Sequence, residues 1–251
     1  MPENYVGLVP DNGCSYLLSP TKSVGLYMVL TGGRINYQDM IEMNLPSHFC
    51  QEKLLNALEQ ELITSFEIEK HEDVDLILRK YCIPKVLVSV SEGVTVKNRA
   101  LIERCFNWNF KTFAEVHQQL TKESENDQLD EGSRKIVFNS LMAIELVCPL
   151  SLMTSFELIH RAEGKPLREC LINEVRSNVH MGIRRDIQEG IKRGLFDKYY
   201  QPQFDPPTYQ NVTTKMVEFN LSPISQIISF ENGDDTLITR ALDSYGEEIY
   251  L

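Results

Sequence analysis

The sequence predicts an α/β protein, on three observations. The opening run Tyr5 to Val9 is apolar and short enough for a strand, and Pro10-Asp11-Asn12-Gly13 closes it with a turn. Downstream, the longer apolar patterns have helical spacing. The 251 residues are 42% hydrophobic and 24% charged, with only 13 Gly and 11 Pro, a composition that supports a packed core and excludes disordered and fibrous classes.

A helix is expected from Cys14, after the turn. Thr21 to Leu30 carries Val24, Tyr27, Met28 and Leu30 at roughly helical spacing, and Thr31-Gly32-Gly33 stops it. Ile35 to Met43 reads as another short helix, followed by an extended Leu45 to Phe49. From Gln51 to Phe66, Leu54, Leu55, Leu58, Leu62 and Ile63 mark an amphipathic helix. The charged stretch Glu67 to Asp75 is the expected domain junction. Helices are then expected at Lys97–Phe106, Phe113–Leu120, Ser133–Leu146, Ser151–Ala162 and Leu167–Val179, the last with Leu167, Cys170, Leu171, Val175 and Val179 on one face. Thr121 to Asp130 reads as a solvated acidic loop. After Asp186 to Phe196 the run Pro202 to Pro207 ends regular helix, and residues past Pro223 read as a mixed, extended tail. The expected sections are residues 1–66, 67–96 (connecting), 97–210 (helical) and 211–251 (tail).

A formal net charge of −11 repels phosphate backbones over most of the surface, so direct nucleic-acid binding is not expected. No stretch approaches 18 consecutive apolar residues, so no membrane span is expected. The six Cys form no Cys-x-x-Cys pair and have no His at ligand spacing, which argues against a zinc ribbon or redox motif and for reduced, mostly buried thiols. Such usage suits cytosol, mitochondrial matrix or peroxisome better than secretion, and the sequon Asn211-Val212-Thr213 reads as a chance match. No secretory or transit segment is recognisable in the chain. Gly-rich phosphate loops, G-x-S-x-G and H-E-x-x-H are absent.

Glu3 and Asp11 bracket the first apolar run, where two carboxylates could converge on one pocket. The alternatives are a frayed terminal charge at Glu3 and a helix-capping Asp11. His48 could act as a base, but no nucleophile motif points at it, and a structural imidazole is the ordinary reading. Tyr16 and Arg34 are either ligand contacts or packing and ion-pair residues. Arg184, Arg185, Lys192, Arg193 and Lys198 cluster near one short helix, either as a phosphate contact or as a solvated face balancing Asp186 and Glu189.

The order of segments resembles one known family. Met1-Pro2-Glu3, Gly7-Leu8, Pro10-Asp11 and Gly13 are similar to the M-P-E-x-x-x-G-x-x-P-D-x-G signature of the 3-hydroxyisobutyryl-coenzyme A hydrolase branch of the crotonase (enoyl-CoA hydratase/isomerase) superfamily. Leu30-Thr31-Gly32 with Arg34 and Asp39 resembles its L-T-G-x-R segment, and Leu45 to Phe49 its L-A-T-H-F. Asp186 to Lys192, Asp197-Lys198 and Pro202 to Pro206 resemble its D-F-x-E-G-V-R, D-K and P-x-W-x-P run, and Ser151-Leu152 and Leu171 to Arg176 fit its helical section. The resemblance covers roughly residues 1 to 210. Asn12 stands where the signature has Val, Cys14 where it has Gly or Ala, Lys192 for Arg and Phe204 for Trp.

The resemblance implies the C-terminal part of a crotonase-like ββα spiral followed by a mostly helical section. It implies hydrolysis of a short 3-hydroxyacyl-CoA thioester in valine breakdown, with Glu3 as water-activating base or nucleophile and Asp11 as orienting acid. Gly7, Gly13, Lys192 and Lys198 are the implied substrate-binding positions. Coenzyme A arrives with the substrate, and no catalytic cofactor and no metal is implied. A mitochondrial location is implied, with peroxisome and cytosol as alternatives. The family's oxyanion donors lie in G-G-D and G-G-G segments preceding M-P-E, without counterpart in this sequence. The chain is therefore expected to be either a shortened gene product or a non-catalytic homologue such as a mitochondrial ribosome component, with weak or absent turnover alone, since loss of even one donor costs about 100- to 1000-fold. A hydratase or isomerase activity is the further alternative. Open strand edges imply homo-oligomerisation or membership of a larger complex.

Overall fold

The computed structural model describes residues 3–65 and 68–224. Its helices in chain order are α1 (Cys14–Leu18), α2 (Ser23–Thr31), α3 (Tyr37–Glu42), α4 (Glu52–Thr64), α5 (His71–Tyr81), α6 (Val94–Lys97), α7 (Arg99–Cys105), α8 (Phe113–Ser124), α9 (Glu131–Leu146), α10 (Pro149–Arg161), α11 (Leu167–Gly182), α12 (Arg185–Ile191) and α13 (Thr214–Asn220). Two strands, β1 (His48–Cys50) and β2 (Cys82–Pro84), form one antiparallel pair. Chain contacts divide into two units, residues 1–34 with 100–251, and residues 35–99. The expected boundary at 66/67 thus falls inside the second unit.

In the first unit the expected strand at Tyr5 to Val9 is absent: Glu3–Val6 is a single turn of 3-10 helix. A five-residue apolar run is too short for periodicity to separate strand from helix. Gly7 then takes φ +85°, and a Cβ there would lie 3.0 Å from the Asp186 backbone, so glycine lets this turn press against α12. Val24, Leu26 and Leu30 of α2 are fully buried, and α2 packs on α9 and α10. Val9, Leu150, Leu158, Met181 and Val217 share a core cluster. Two more expectations are revised here. Helix α8 runs on to Ser124, and Glu123, 6% exposed, pairs with Arg104 at 3.1 Å instead of lying in a solvated loop. The section read as tail from 211 contains α13, capped by Thr213 and packed on α10 and α11 through Val217. The expected extension past Pro223 falls, beyond Ile224, outside the described residues.

In the second unit, α4 and α5 pack as a hairpin between β1 and β2, burying Leu58, Ile77 and Cys82 together. Helix α5 arises inside the charged stretch because Asp73 accepts N–H bonds from Glu69 (3.0 Å) and Lys70 (2.9 Å) and so caps its start. Asp39, fully buried, pins α3 to α6. Its carboxylate accepts the Asn36 N–H at 2.9 Å, the Thr95 N–H at 2.7 Å and the Thr95 hydroxyl at 2.8 Å. Burial alone would raise its pKa, but the hydrogen bonds from Asn36 and Thr95 prevail and hold it below 3.8. A depressed folded-state value stabilises above the unfolded value and is lost as pH falls through the folded one. Asp39→Asn is expected to cost on the order of 1–3 kcal/mol at pH 7, and its gap from wild type in urea midpoint to narrow below pH 3.8. A gap that stays constant into acid contradicts this assignment.

Candidate functional site

The turn that begins at Glu3 is anchored from within. Asn4, 2% exposed, donates its amide to the Val29 carbonyl at 2.9 Å and accepts the Ser155 hydroxyl at 2.6 Å, while its own carbonyl accepts the Cys148 N–H at 2.8 Å. From the other side Arg193, 5% exposed, sits 3.8 Å from the Tyr5 ring and donates to the Tyr5 and Leu146 carbonyls. Gly190 completes the contact, since a Cβ there would fall 2.6 Å from Val6. On this platform Glu3 is half-buried, and its Oε2 is buried with no hydrogen-bond partner among the described residues. A buried carboxylate oxygen without a donor is uncommon and costly, and marks an acceptor available to another group.

Asp11 is held by neutral amides. Its Oδ2 accepts the Asn178 side-chain amide at 3.1 Å and its Oδ1 the Asn12 amide at 2.7 Å. Asn178 also clamps Val9 on both sides, accepting its N–H at 2.9 Å and donating to its carbonyl at 3.0 Å. Asn12 stands at φ 59°, a left-handed conformation that asparagine tolerates better than a β-branched residue. Next along the chain, Glu174 on α11 is fully buried and accepts the Gly13 N–H at 2.7 Å, the Ser15 N–H at 2.8 Å and the Ser15 hydroxyl. Burial pushes the Glu174 carboxyl above the ordinary carboxylate range, against these hydrogen bonds. Cys14, between Gly13 and Ser15 in the chain, carries a thiol sensitive to all three acids. Burial first, then the charges of Glu174, Glu3 and Asp11, push it up to about 11. Glu3 and Asp11 therefore both lie within electrostatic reach of one thiol.

The remaining expected residues fall as follows. Gly7 faces α12 backbone. Gly13, at φ +84°, packs on Leu167 and Leu171 and starts α1. Lys192 and Lys198 are exposed and rest over the rings of Tyr200 (3.7 Å) and Tyr199 (5.0 Å). In the rest of the basic cluster, Arg184 pairs with Asp186 at 2.8 Å and Arg185 with Glu189 at 3.3 Å, and Arg193 is buried. Asp186 also accepts the Asp205 N–H at 2.7 Å, and Glu189 the Gln203 N–H at 2.8 Å and the Tyr200 hydroxyl at 2.7 Å. These bonds stitch the proline-rich run to α12. Tyr16 is half-buried on α1. In the second unit His48 lies 3.3 Å from Asp75.

Two cavities of about 400 Å³ open in the first unit. One lies between the anchored turn and the end of α2, lined by Asn4, Tyr5, Thr31, Gly32, Gly33 and Arg34 among others, with Arg34 exposed. The other is lined by His117, Arg193, Gln203, Phe204 and Tyr209 among others. Neither Glu3 nor Asp11 lines either of these two. Among the described residues no group of three or more His, Cys, Asp or Glu is placed to hold a metal ion, and no single helix is long and apolar enough to cross a membrane.

Asn4, Glu174 and Asn178 escaped the sequence reading as site residues. The last two had a signal: Leu167, Leu171, Glu174 and Asn178 follow one helical stripe, so two polar residues continue an apolar face. A buried polar group in such a stripe implies a partner. For Asn4 no comparable pattern exists.

The chain superposes on the crystal structure of a carnitinyl-CoA dehydratase from Mycobacterium thermoresistibile with TM-score 0.71, at 24% identity over 89% of this chain and 58% of that one. An enoyl-CoA hydratase from Rhodobacter sphaeroides 2.4.1 gives TM-score 0.69, at 24% identity over 90% and 59%. A profile of the enoyl-CoA hydratase/isomerase family matches residues 1–221, and the chain belongs to that family. Curated relatives include the small ribosomal subunit protein mS47 of Arabidopsis thaliana, 29% identical over 90% of this chain and 54% of the relative. The probable 3-hydroxyisobutyryl-CoA hydrolase 2 of Arabidopsis thaliana is 30% identical over 87% and 56%, and the mitochondrial 3-hydroxyisobutyryl-CoA hydrolase of Homo sapiens 25% over 85% and 52%. The chain spans about half the length of the curated relatives it matches.

Glu174→Ala is expected to destabilise the first unit by about 1–3 kcal/mol for each buried N–H left unpaired, read as a lower urea midpoint with faster hydrogen exchange at Gly13 and Ser15. An unchanged midpoint and unchanged exchange would remove Glu174 from this role.

Proposed function

We propose that this chain carries the carboxylate side of a thioester-hydrolysing site, with 3-hydroxyisobutyryl-CoA or a similar short 3-hydroxyacyl-CoA as substrate and a mitochondrial location. The supporting observation is the buried oxygen of Glu3, without a donor among the described residues, together with the action of Glu3 and Asp11 on one thiol, Cys14. An acceptor with no partner can take the proton of a water that attacks the thioester carbonyl, and general-base assistance of this kind contributes about 100- to 10,000-fold. Alternatively Glu3 attacks the carbonyl itself and water cleaves the resulting anhydride. In both routes the carbon–sulfur bond breaks, the acyl group gains the water oxygen, and coenzyme A leaves as free thiol. Asp11, fixed by the amides of Asn178 and Asn12 rather than neutralised by a cation, is suited to accept the hydroxyl of a 3-hydroxyacyl group. Gly7 and Gly13 act by letting the two acidic segments approach α12 and α11, and Lys192 and Lys198 offer cations for the phosphates of coenzyme A.

Fixed N–H donors for the developing oxyanion are also needed, and the family's glycine-rich donor segments have no counterpart among the 251 residues. Release of free thiol from 3-hydroxyisobutyryl-CoA is therefore expected to be slow with this chain alone, and to fall about 100-fold or more in Glu3→Gln, with a smaller loss in Asp11→Asn. Equal release by wild type and both variants rejects the assignment. A change in double-bond absorbance without thiol release would instead indicate a hydratase. A second reading, favoured by the similarity to mS47, is a structural homologue built into a mitochondrial ribosomal subunit. Co-sedimentation with that particle, together with thiol release indifferent to Glu3, supports it.

A further inference from the structure

We propose that Cys50 and Cys82 are a peroxide-oxidisable pair that closes into a disulfide across β1 and β2, an inference independent of the hydrolase reading. The two residues face each other directly in the antiparallel register. Cys82 donates its N–H to the Leu78 carbonyl at the end of α5, and Pro84 two residues on has no N–H, so the Cys50–Cys82 and His48–Pro84 pairs are both of the non-hydrogen-bonded type. At such pairs the Cα atoms approach to about 4.5 Å with side chains on one face, within the range of about 4.4–6.8 Å that a disulfide spans. The Cys50 thiol reaches across the pair, its Sγ donating to the carbonyl of Tyr81, the residue before Cys82, at 3.8 Å. Neither thiol is engaged in a disulfide. No comparable register sets any other cysteine of the described residues opposite a second one, since β1 and β2 are the two strands described.

Access differs between the partners and sets their order of reaction. Cys50 is half-buried and reachable, whereas Cys82 is 9% exposed and packed against Leu58 and Ile77. Cys50 thiolate attacks hydrogen peroxide: a sulfur–oxygen bond forms, the oxygen–oxygen bond breaks, and hydroxide leaves as water with the thiol proton. Cys82, whose thiol burial holds protonated, releases its proton as its sulfur attacks the sulfenic sulfur: the sulfur–sulfur bond forms, the sulfur–oxygen bond breaks, and a second water departs with that proton. Two thiols lose two electrons and one peroxide is reduced to two waters. The new bond closes the chain around α4 and α5, restricting opening of that hairpin.

The test is exposure of the purified protein to a small molar excess of hydrogen peroxide, alkylation of the remaining thiols, and peptide mapping without reductant. The expected main product is a peptide pair joined through Cys50 and Cys82, lighter by two hydrogens and restored by dithiothreitol, with slower hydrogen exchange across residues 51–81. Cys82→Ser should instead accumulate sulfenic acid at Cys50, trapped by dimedone. If that variant fails to fold, the wild-type map still decides. The proposal is overturned if another cystine is the main product, if Cys50 proceeds to sulfinic acid without linking, or if both thiols remain alkylatable after other cysteines are oxidised.

Discussion

One buried carboxylate governs the geometry of the candidate site. Glu174 reaches from α11 and gathers the Gly13 and Ser15 N–H groups at the start of α1. Those N–H groups have no partner within their own short helix, and burial denies them water, so without Glu174 the turn that ends in Asp11 would lose its fixed end. A buried acid is costly when alone and tolerable when its oxygens are saturated with donors. Glu174 meets that condition within the protein.

The contrast with Glu3 follows from the same rule. Asn4, one residue on, satisfies its amide and carbonyl on α2 and α10, and Arg193 grips the following carbonyl, so the backbone under Glu3 is held by polar contacts in the interior. Glu3 itself keeps one oxygen buried without a donor among the described residues. The local structure spends its hydrogen bonds on positioning that carboxylate and leaves the carboxylate incompletely served. Asp11 is bonded by two amides, which orient it without cancelling its charge. Burial first, and then the charges of Glu174, Glu3 and Asp11, raise the Cys14 thiol beside them in the chain.

Much of this was legible in the sequence wherever partners lie close along the chain. Helices with clear apolar spacing, such as α4, α9 and α11, appear close to the expected ends. The family signature was legible because its short motifs follow one another in order along residues 1 to 210, and the match of residues 1–221 bears out that recognition. Failures occurred where long-range contacts overruled local pattern. Tyr5 to Val9 reads as strand by composition, yet Glu3–Val6 is a turn of 3-10 helix, and Gly7 beside it packs against α12. Glu123 reads as solvated, yet Arg104 draws it inward.

The sequence by itself determined the family, the helical character of most of the chain and the segments that bear Glu3 and Asp11, because periodicity and ordered motifs are properties of neighbouring residues. Only the tertiary structure decided which carboxylates are satisfied, that Asn178 and Asn12 hold Asp11, and that Cys50 stands opposite Cys82. Those pairings join residues far apart in the chain, and a hydrogen bond depends on ångström-scale distance and orientation that a linear pattern does not encode.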